Sequence, residues 1–225
     1  MKHQPSCVNQ PIKPNQSIES NQPIEPAYLT RASLRRALRN KRRQLTPYQQ
    51  QQASQLICRH LSQQAWFINA SSLAIYMAAD GEVDPIKLAV MAHNRGKEVY
   101  LPVLHPVHRN YLLFVRFTPQ TPLEKNRFGI LEPRLKGYGL KRHNHCTTQR
   151  LDLILMPLVG FDSQGGRLGM GGGFYDRTLA LKPAEFNRPK LVGLAHECQK
   201  VEHLPLEAWD IPLAGIITPA KVYLA

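Results

Sequence analysis

The sequence contains no long apolar run. None of its apolar stretches approaches the roughly 20 residues that a membrane-spanning helix needs, and its first residues do not form the apolar core of a secretory signal. We therefore expect neither a membrane protein nor a secreted one. The length of 225 residues and the hydrophobic content of 43% predict one folded domain with its own core.

Cysteine is scarce. The four cysteines, Cys7, Cys58, Cys146 and Cys198, are widely separated and form no Cys-X-X-Cys pair. This spacing favours neither a zinc ribbon nor a disulfide framework. Unpaired thiols are typical of a reducing compartment, so we expect a cytoplasmic protein.

Acidic residues are few relative to basic ones, and the formal net charge is +13. A basic chain leaves two kinds of partner open, a nucleic acid or an anionic small ligand. The densest basic run, at residues 31–43, has no interleaved aromatic residues, whereas proteins that bind single strands usually add aromatic stacking surfaces. Nucleic acid is therefore not the expected partner, although a basic nucleic-acid-binding protein stays an alternative.

The first 26 residues lack any pattern that could form an amphipathic face. They are rich in Pro, Gln, Asn and Ser, and a six-residue repeat begins at Asn9, Asn15 and Asn21. Such a composition cannot bury enough apolar surface to fold alone. We predict a disordered tail over residues 1–26 and one folded domain over residues 27–225.

Helix signals alternate with short apolar strands along the predicted domain. Thr30 and Thr46-Pro47 are predicted to start two helices, and Asp84-Pro85 a third that ends before Gly96. Strands are predicted at residues 72–77, 99–104, 111–117, 153–159, 190–195 and 216–218, and a polar loop at residues 143–150. This alternation predicts an α/β fold, a mostly parallel sheet covered by helices on both faces, with ligands beyond the carboxyl ends of the strands.

Seven of the fourteen glycines lie between Gly160 and Gly173. They follow an apolar run at residues 151–159 and precede a helix-compatible segment. A strand, a glycine loop and a helix together present backbone N–H groups to a phosphate. Arg167 can pair with phosphate oxygens, and Asp176 can hold a cation. The segment is neither a Walker A loop nor a good dinucleotide-binding loop, and a flexible surface turn is the simpler interpretation, but the flanking residues favour a nucleotide-using enzyme.

Several segments together resemble the 5-formyltetrahydrofolate cyclo-ligase family, whose members are also called 5,10-methenyltetrahydrofolate synthetases. The glycine segment carries the motif RLGMGGGFYD at residues 167–176. The other matching segments are RASLR at residues 31–35, YMAADGEV at 76–83, NRFGILEP at 126–133, AWDIP at 208–212 and IIT at 216–218. They occur in the family's order, and the resemblance covers about residues 30–222.

The resemblance implies a three-layer, Rossmann-like domain of the NagB/RpiA/CoA-transferase type. It also implies a reaction in which ATP and 5-formyltetrahydrofolate give 5,10-methenyltetrahydrofolate, ADP and phosphate. ATP would be a co-substrate and Mg²⁺ the metal cofactor. The partners would be small molecules, with no nucleic acid and no membrane. A monomer is the default expectation.

The resemblance further implies roles for individual residues. ATP would be bound by Arg31, Ala32, Ser33, Leu34, Arg35, Arg167, Leu168, Gly169, Met170, Gly171, Gly172, Gly173, Phe174 and Tyr175. The folate would be bound by Met77, Glu82, Met170, Gly171, Gly172, Gly173 and Phe174. Mg²⁺ would be held by Asp176 and Asp210. Catalysis would fall to Arg167, with Lys125 and Arg127 reaching the γ-phosphate or the glutamate of the folate.

Several of these residues have more ordinary interpretations when taken alone. Asp210 suits a helix cap or a turn, Met77 suits a core, and Glu82 suits an exposed acid near a helix start. Because a fold does not determine a function, a different enzyme of ATP or sugar phosphates on a similar frame stays an alternative.

Overall fold

The computed structural model describes residues 30–180 and 189–224. The predicted tail at residues 1–26 lies outside the described residues. The helices are α1 (Arg31–Arg43), α2 (Pro47–Ser62), α3 (Ala65–Asn69), α4 (Ile86–Asn94) and α5 (Phe174–Leu179). The strands are β1 (Ser72–Ala74), β2 (Glu98–Leu104), β3 (Leu112–Phe117), β4 (Leu123–Lys125), β5 (Leu131–Pro133), β6 (His145–Cys146), β7 (Leu153–Pro157), β8 (Gly160–Phe161), β9 (Arg167–Leu168), β10 (Lys190–Leu194), β11 (Gly215–Ile217) and β12 (Val222–Leu224).

The first two helices start where their caps predict. The Thr30 side chain accepts a hydrogen bond from the Ser33 N–H at the start of α1. Thr46 and Gln49 form a reciprocal capping box at the start of α2, with Pro47 in the first turn. Helix α3 was not predicted, because five residues are too few to show a helical periodicity.

Eight strands form the main sheet in the order β12-β11-β10-β7-β1-β2-β3-β6. The five strands from β11 to β2 run parallel, and β12, β3 and β6 are antiparallel to their neighbours. The prediction of a mostly parallel sheet is thus confirmed. The prediction of a polar loop at residues 143–150 was wrong in part, because β6 adds a two-residue edge strand there by pairing Cys146 with Phe114.

Alternate residues of the strands serve two separate cores. Leu153 and Leu155 of β7 pack with α2, α3 and α4 on one face of the sheet. Ile154 and Met156 face the opposite side, where Tyr175 and Leu179 of α5 pack. The sheet is therefore covered on both faces, but unequally, since within the described ranges only the short helix α5 and irregular segments cover the second face.

Helix α1 lies at the carboxyl edge of the sheet rather than on either face. Its Leu34 and Leu38 pack with Val159 and Leu168 in a third small core. A Cβ at Gly160 would lie 2.5 Å from Leu38 Cδ1, so any side chain there would displace the packed Leu38. The basic helix is thereby brought against the glycine segment. Among residues 30–180 and 189–224, no helix has both the length and the apolar character to cross a membrane.

Candidate active site

Three connections meet at the carboxyl edge of the parallel strands. Residues 75–83 follow β1, residues 158–173 follow β7, and residues 195–204 follow β10. Polar contacts tie them together: Gln199 Nε2 donates to the Leu158 carbonyl at 2.5 Å, and His196 Nε2 lies 3.1 Å from the Gly81 carbonyl. In open α/β sheets this edge is where ligands bind.

The glycine segment is two structures rather than one loop. Strands β8 and β9 form a small hairpin, and the buried carboxylate of Asp162 holds its turn by accepting the Gln164 and Gly166 N–H groups at 3.0 and 2.9 Å. The loop proper is residues 169–173. Gly171 has φ +94° and Gly173 has φ +65°, conformations that residues with a side chain rarely adopt. The glycines therefore open the backbone of this loop toward a ligand.

Two arginines hold the loop from opposite sides. Arg35 Nε on α1 donates to the Gly169 carbonyl at 2.8 Å. The buried Arg167 on β9 donates through Nε to the Ile211 carbonyl at 3.0 Å, and its Nη2 pairs with Asp176 Oδ1 on α5. The predicted phosphate-binding arginine and the predicted metal-binding aspartate are thus ion-paired with each other.

Asp210 forms a second arginine–aspartate pair beside the first. Arg31 donates to both of its carboxylate oxygens, at 2.5 and 3.1 Å, and also to the Pro205 carbonyl at 2.9 Å. Burial alone would raise the pKa of Asp210, but the Arg31 hydrogen bond and the Glu207 N–H together hold that pKa below its ordinary value. The carboxylate is therefore ionised at neutral pH and anchors the segment from Pro205 to Asp210 to the start of α1.

The predicted folate-binding segment lies over the end of β1. Met77 is partly buried against the core formed with α2 to α4. Glu82 is nearly buried, with 11% of its side chain exposed, and its Oε2 accepts the Ala79 N–H at 3.1 Å. Burial raises the pKa of Glu82 to about 7, against the opposing charge of Arg42. Burial raises the pKa of the partly buried Tyr175 phenol on α5, and the negative charge of Glu82 adds to that rise. Arg42 lies 3.8 Å from Glu82 Oε1 and donates to the Leu158 carbonyl at 3.0 Å, so this segment meets the chain that leads into the glycine segment.

A second hairpin brings an aromatic side chain to the glycine loop. Strands β4 and β5 pair around a turn at residues 126–130. Phe128 at its tip is 56% exposed and packs edge-to-face on Phe174, with 6.1 Å between ring centroids. The Arg127 guanidinium lies 4.9 Å from the Phe128 centroid, so Arg127 is brought beside the loop. Lys125 is exposed, and within the described residues its side chain makes neither an ion pair nor a hydrogen bond.

The predicted residues differ in what they can offer a ligand. Leu34 and Leu168 are buried in the small core under α1, so only their main-chain atoms can touch a nucleotide. The Ser33 N–H and hydroxyl both donate to Thr30 at the start of the same helix, and Ala32 is exposed. Met170 is 54% exposed at the middle of the loop. The side chains that remain available to a ligand are therefore mainly the cationic groups and the exposed middle of the loop.

Sequence reasoning missed a cluster at the far end of α1. Asp80 has φ +53° and accepts hydrogen bonds from Arg39, Arg42 and Arg43 at 2.7, 3.0 and 2.5 Å. An Asp-Gly pair is a turn signal, and Asp tolerates the left-handed region. That signal could have located the turn, but the three arginines that hold it lie about forty positions away in sequence.

The chain is similar to characterised proteins over most of its length. A model of the 5-formyltetrahydrofolate cyclo-ligase family matches residues 28–219. The chain is 44% identical over 186 residues to the 5-formyltetrahydrofolate cyclo-ligase of Escherichia coli K12, which covers 83% of this chain and 98% of that protein. It is 44% identical over 187 residues to the Haemophilus influenzae enzyme of the same name, with 83% and 96% covered.

A solved structure agrees with these sequence matches. The NMR structure of Aquifex aeolicus 5,10-methenyltetrahydrofolate synthetase superposes with a TM-score of 0.72 at 30% identity, covering 87% of this chain and 93% of that one. The predicted α/β class is thereby confirmed. Both the matched length and the identity exceed what a shared fold alone would produce, and the chain belongs to the 5-formyltetrahydrofolate cyclo-ligase family.

Proposed function

We propose that the protein converts 5-formyltetrahydrofolate into 5,10-methenyltetrahydrofolate, consuming ATP and releasing ADP and phosphate. The proposal rests on one observation: the glycine loop, its two arginines and the Glu82 segment lie at the same edge of the sheet. The relatives of this chain carry that activity in their names. A two-substrate reaction needs both reactants held at one place.

ATP is proposed to bind along residues 169–173. Gly171 and Gly173 turn the backbone so that its N–H groups are accessible, and Arg31, Arg35 and Arg167 supply positive charge at the two sides of the loop. Helix α5 has only six residues, so its dipole adds little, and the loop and the arginines carry the phosphate recognition.

Mg²⁺ is proposed to enter with the nucleotide. The described residues contain no group of three or more His, Cys, Asp or Glu that could hold a metal ion, but Mg²⁺ commonly takes one or two carboxylates plus phosphate oxygens. Asp176 fits this better than Asp210. One Asp176 oxygen pairs with Arg167, whereas both Asp210 oxygens accept from Arg31. Bound there, Mg²⁺ would neutralise phosphate charge.

The folate is proposed to lie between the Glu82 segment and the loop. An ionised Glu82 can accept two parallel N–H groups of the pterin ring. Met77 and Met170 offer apolar contact, and the Phe128–Phe174 pair closes the same side. The exposed Arg127 beside Phe128 is placed to meet an anionic part of either substrate.

The chemistry follows from these positions. The formyl oxygen attacks the γ-phosphorus, and ADP leaves. The folate N10 then attacks the activated formyl carbon, the oxygen departs with the phosphoryl group as phosphate, and loss of the N10 proton leaves the methenyl cation. The chain contributes positioning and stabilisation of phosphate charge, for which Arg167 is the best placed side chain.

The alternative of a nucleic-acid-binding protein has little support from the basic helix. Arg31 and Arg35 contact Asp210 and the Gly169 carbonyl, and three further arginines of α1 contact Asp80. These charges are engaged within the protein. A monomeric state and a cytoplasmic location stay predictions.

Coupled product analysis tests the proposal. Purified protein is incubated with Mg²⁺-ATP, with and without 5-formyltetrahydrofolate, and ADP is quantified beside the methenyl product. One ADP per methenyl product, with no ADP when the folate is left out, is expected. ADP released at the same rate without folate would instead favour a different ATP-using enzyme.

A further inference from the structure

Among residues 30–180 and 189–224, the largest wholly buried side chain is a charged one. Arg42, in the last turn of α1, is 0% exposed. Its Nε donates to the Asp80 carbonyl at 2.9 Å and its Nη2 to Asp80 Oδ2 at 3.0 Å. Its Nη1 donates to the Leu158 carbonyl at 3.0 Å and lies 3.8 Å from Glu82 Oε1. One guanidinium therefore joins α1, the turn after β1 and the end of β7.

A buried charge is costly, since removing an ion from water carries a penalty of several kcal/mol that only good partners offset. A methionine or leucine would fill a core position beside Leu38 without that cost. The planar fork, however, is the group that can reach a carboxylate and two carbonyls at once. The contacts of Arg42 thus hold α1, the turn at Asp80 and the end of β7 in one arrangement at the carboxyl edge of the sheet.

The turn that Arg42 holds is unusual in its backbone. Asp80 and Gly81 both have positive φ, at +53° and +76°. His196 approaches the Gly81 carbonyl from β10's connection at 3.1 Å, and the Tyr76 hydroxyl donates to the Val83 carbonyl at 2.7 Å. These contacts present Glu82 in one orientation, with one oxygen on the Ala79 N–H and the other toward Arg42.

We propose that Arg42 is a positioning residue for the folate substrate, which it serves by locking the turn at residues 80–82 so that Glu82 faces the pterin ring. Arg42 touches neither substrate. This inference rests on the proposed function and adds to it a residue outside the segments that resemble the family's motifs. The ATP-binding arginines Arg31 and Arg35 lie at the other end of the same helix, so loss of Arg42 should act on the folate alone.

A pH dependence accompanies this geometry. Burial raises the pKa of Glu82 to about 7, and the positive charges of Arg42 and Arg39 oppose the rise, while Asp80 adds to it. Burial raises the pKa of the Tyr76 and Tyr175 phenols, and the charge of Glu82 adds to that rise. Burial lowers the pKa of His196. Only ionised Glu82 accepts two N–H groups, so the KM for folate should rise as the pH falls below about 7, and without Arg42 this rise should begin at higher pH.

The test compares Arg42→Met and Arg42→Lys with Arg36→Met, which removes one exposed charge from the same helix. Folding is checked by circular dichroism, and KM for each substrate is measured from pH 6 to pH 9. Arg42→Met is expected to raise the KM for folate by about tenfold to a hundredfold and to leave the KM for ATP unchanged. The rise of the KM for folate in acid, called the acid limb below, should begin at higher pH. Arg42→Lys keeps the charge but not the fork, so the KM for folate should rise while the acid limb stays in place. Arg36→Met should match the wild type.

Asp80→Asn is the second variant. It keeps the size of the side chain and leaves all three arginines in place, so it tests the role of the turn if the Arg42 variants do not fold. It should raise the KM for folate and not that for ATP. Wild-type protein without methenyl formation would refute the proposed function itself. Active wild type, with an unchanged KM for folate in the folded Arg42 variants or in Asp80→Asn, would overturn the role of Arg42, as would equal rises for both substrates.

Discussion

A single methyl group at Gly171 should damage ATP use more than the same group two residues earlier. Gly171 has φ +94°, and a Cβ there would lie 3.3 Å from the guanidinium carbon of Arg35. At Gly169 no heavy atom lies within 4 Å of the added Cβ, and its φ is not positive. Gly171→Ala and Gly169→Ala therefore differ in strain and crowding while the added group and the loop are the same.

The expected size of the effect follows from the backbone. A residue with a Cβ in the left-handed region costs about 1–2 kcal/mol relative to glycine, and the approach to Arg35 adds to that strain. If the loop relieves the strain by moving away from its nucleotide-binding shape, the KM for ATP rises by about 5- to 30-fold, since 1.36 kcal/mol is a factor of ten. Gly169→Ala should give a smaller rise.

The assay follows methenyl product at varied ATP with folate in excess, and thermal unfolding of both variants serves as a control for global damage. The reasoning is wrong if the two variants have the same KM for ATP, or if Gly171→Ala raises the KM for folate alone. Either outcome would show that the positive φ of this loop is not needed to bind the nucleotide.

Four further predictions concern single sites. Asp176→Asn should lower Mg²⁺-dependent turnover sharply in a magnesium titration, and unchanged turnover would remove Asp176 from the proposed metal site. Arg167→Ala should raise the KM for ATP more than that for folate, and a reversed order in the same assay would contradict its proposed contact with the phosphates. Asp152 accepts the Ser71 and Ser72 N–H groups at 2.8 and 2.9 Å, and these bonds with that of the Ser72 hydroxyl lower its pKa against the opposing effect of burial. The stabilisation is present above a pH of about 4 and is lost as the pH falls through the folded pKa. Because solvent screens this exposed carboxylate, urea unfolding of Asp152→Asn should show a loss of only about 0.5–1 kcal/mol at pH 7 that shrinks in acid, and an equal loss at every pH would refute the ionic contribution. Deleting residues 1–26 should leave turnover intact, because the family match begins at residue 28, and lost turnover would show that the tail contributes to activity.

Local signals were sufficient for much of the fold. The caps at Thr30 and Thr46-Pro47 located α1 and α2, and the apolar run around Leu153 located the central strand β7. Strand β1 ends at Ala74, earlier than predicted, because the chain leaves the ladder after the Ile75 N–H bonds the Tyr100 carbonyl. Elements of two or three residues, such as β8 and β9, carry too few residues for a periodic pattern.

The sequence was enough to predict the glycine loop of the candidate site, but not which of its charged residues pair with each other. Residue types and spacing marked Arg167 and Asp176, but nothing in a sequence reveals that they pair with each other. Arg42 looked like one more arginine on a basic helix, and only the tertiary contact with Asp80 buries it. Which charged residues meet across long sequence distances depends on the tertiary structure. Composition and periodicity do not identify such pairs.

The most direct test of the account is absorbance at the methenyl chromophore after mixing purified protein, Mg²⁺, ATP and 5-formyltetrahydrofolate. A rise that requires all three additions, and that is lost when any one is left out, is the predicted result. No rise with folded protein, or a rise that does not need ATP, would contradict the central claim that this edge of the sheet joins ATP to folate ring closure.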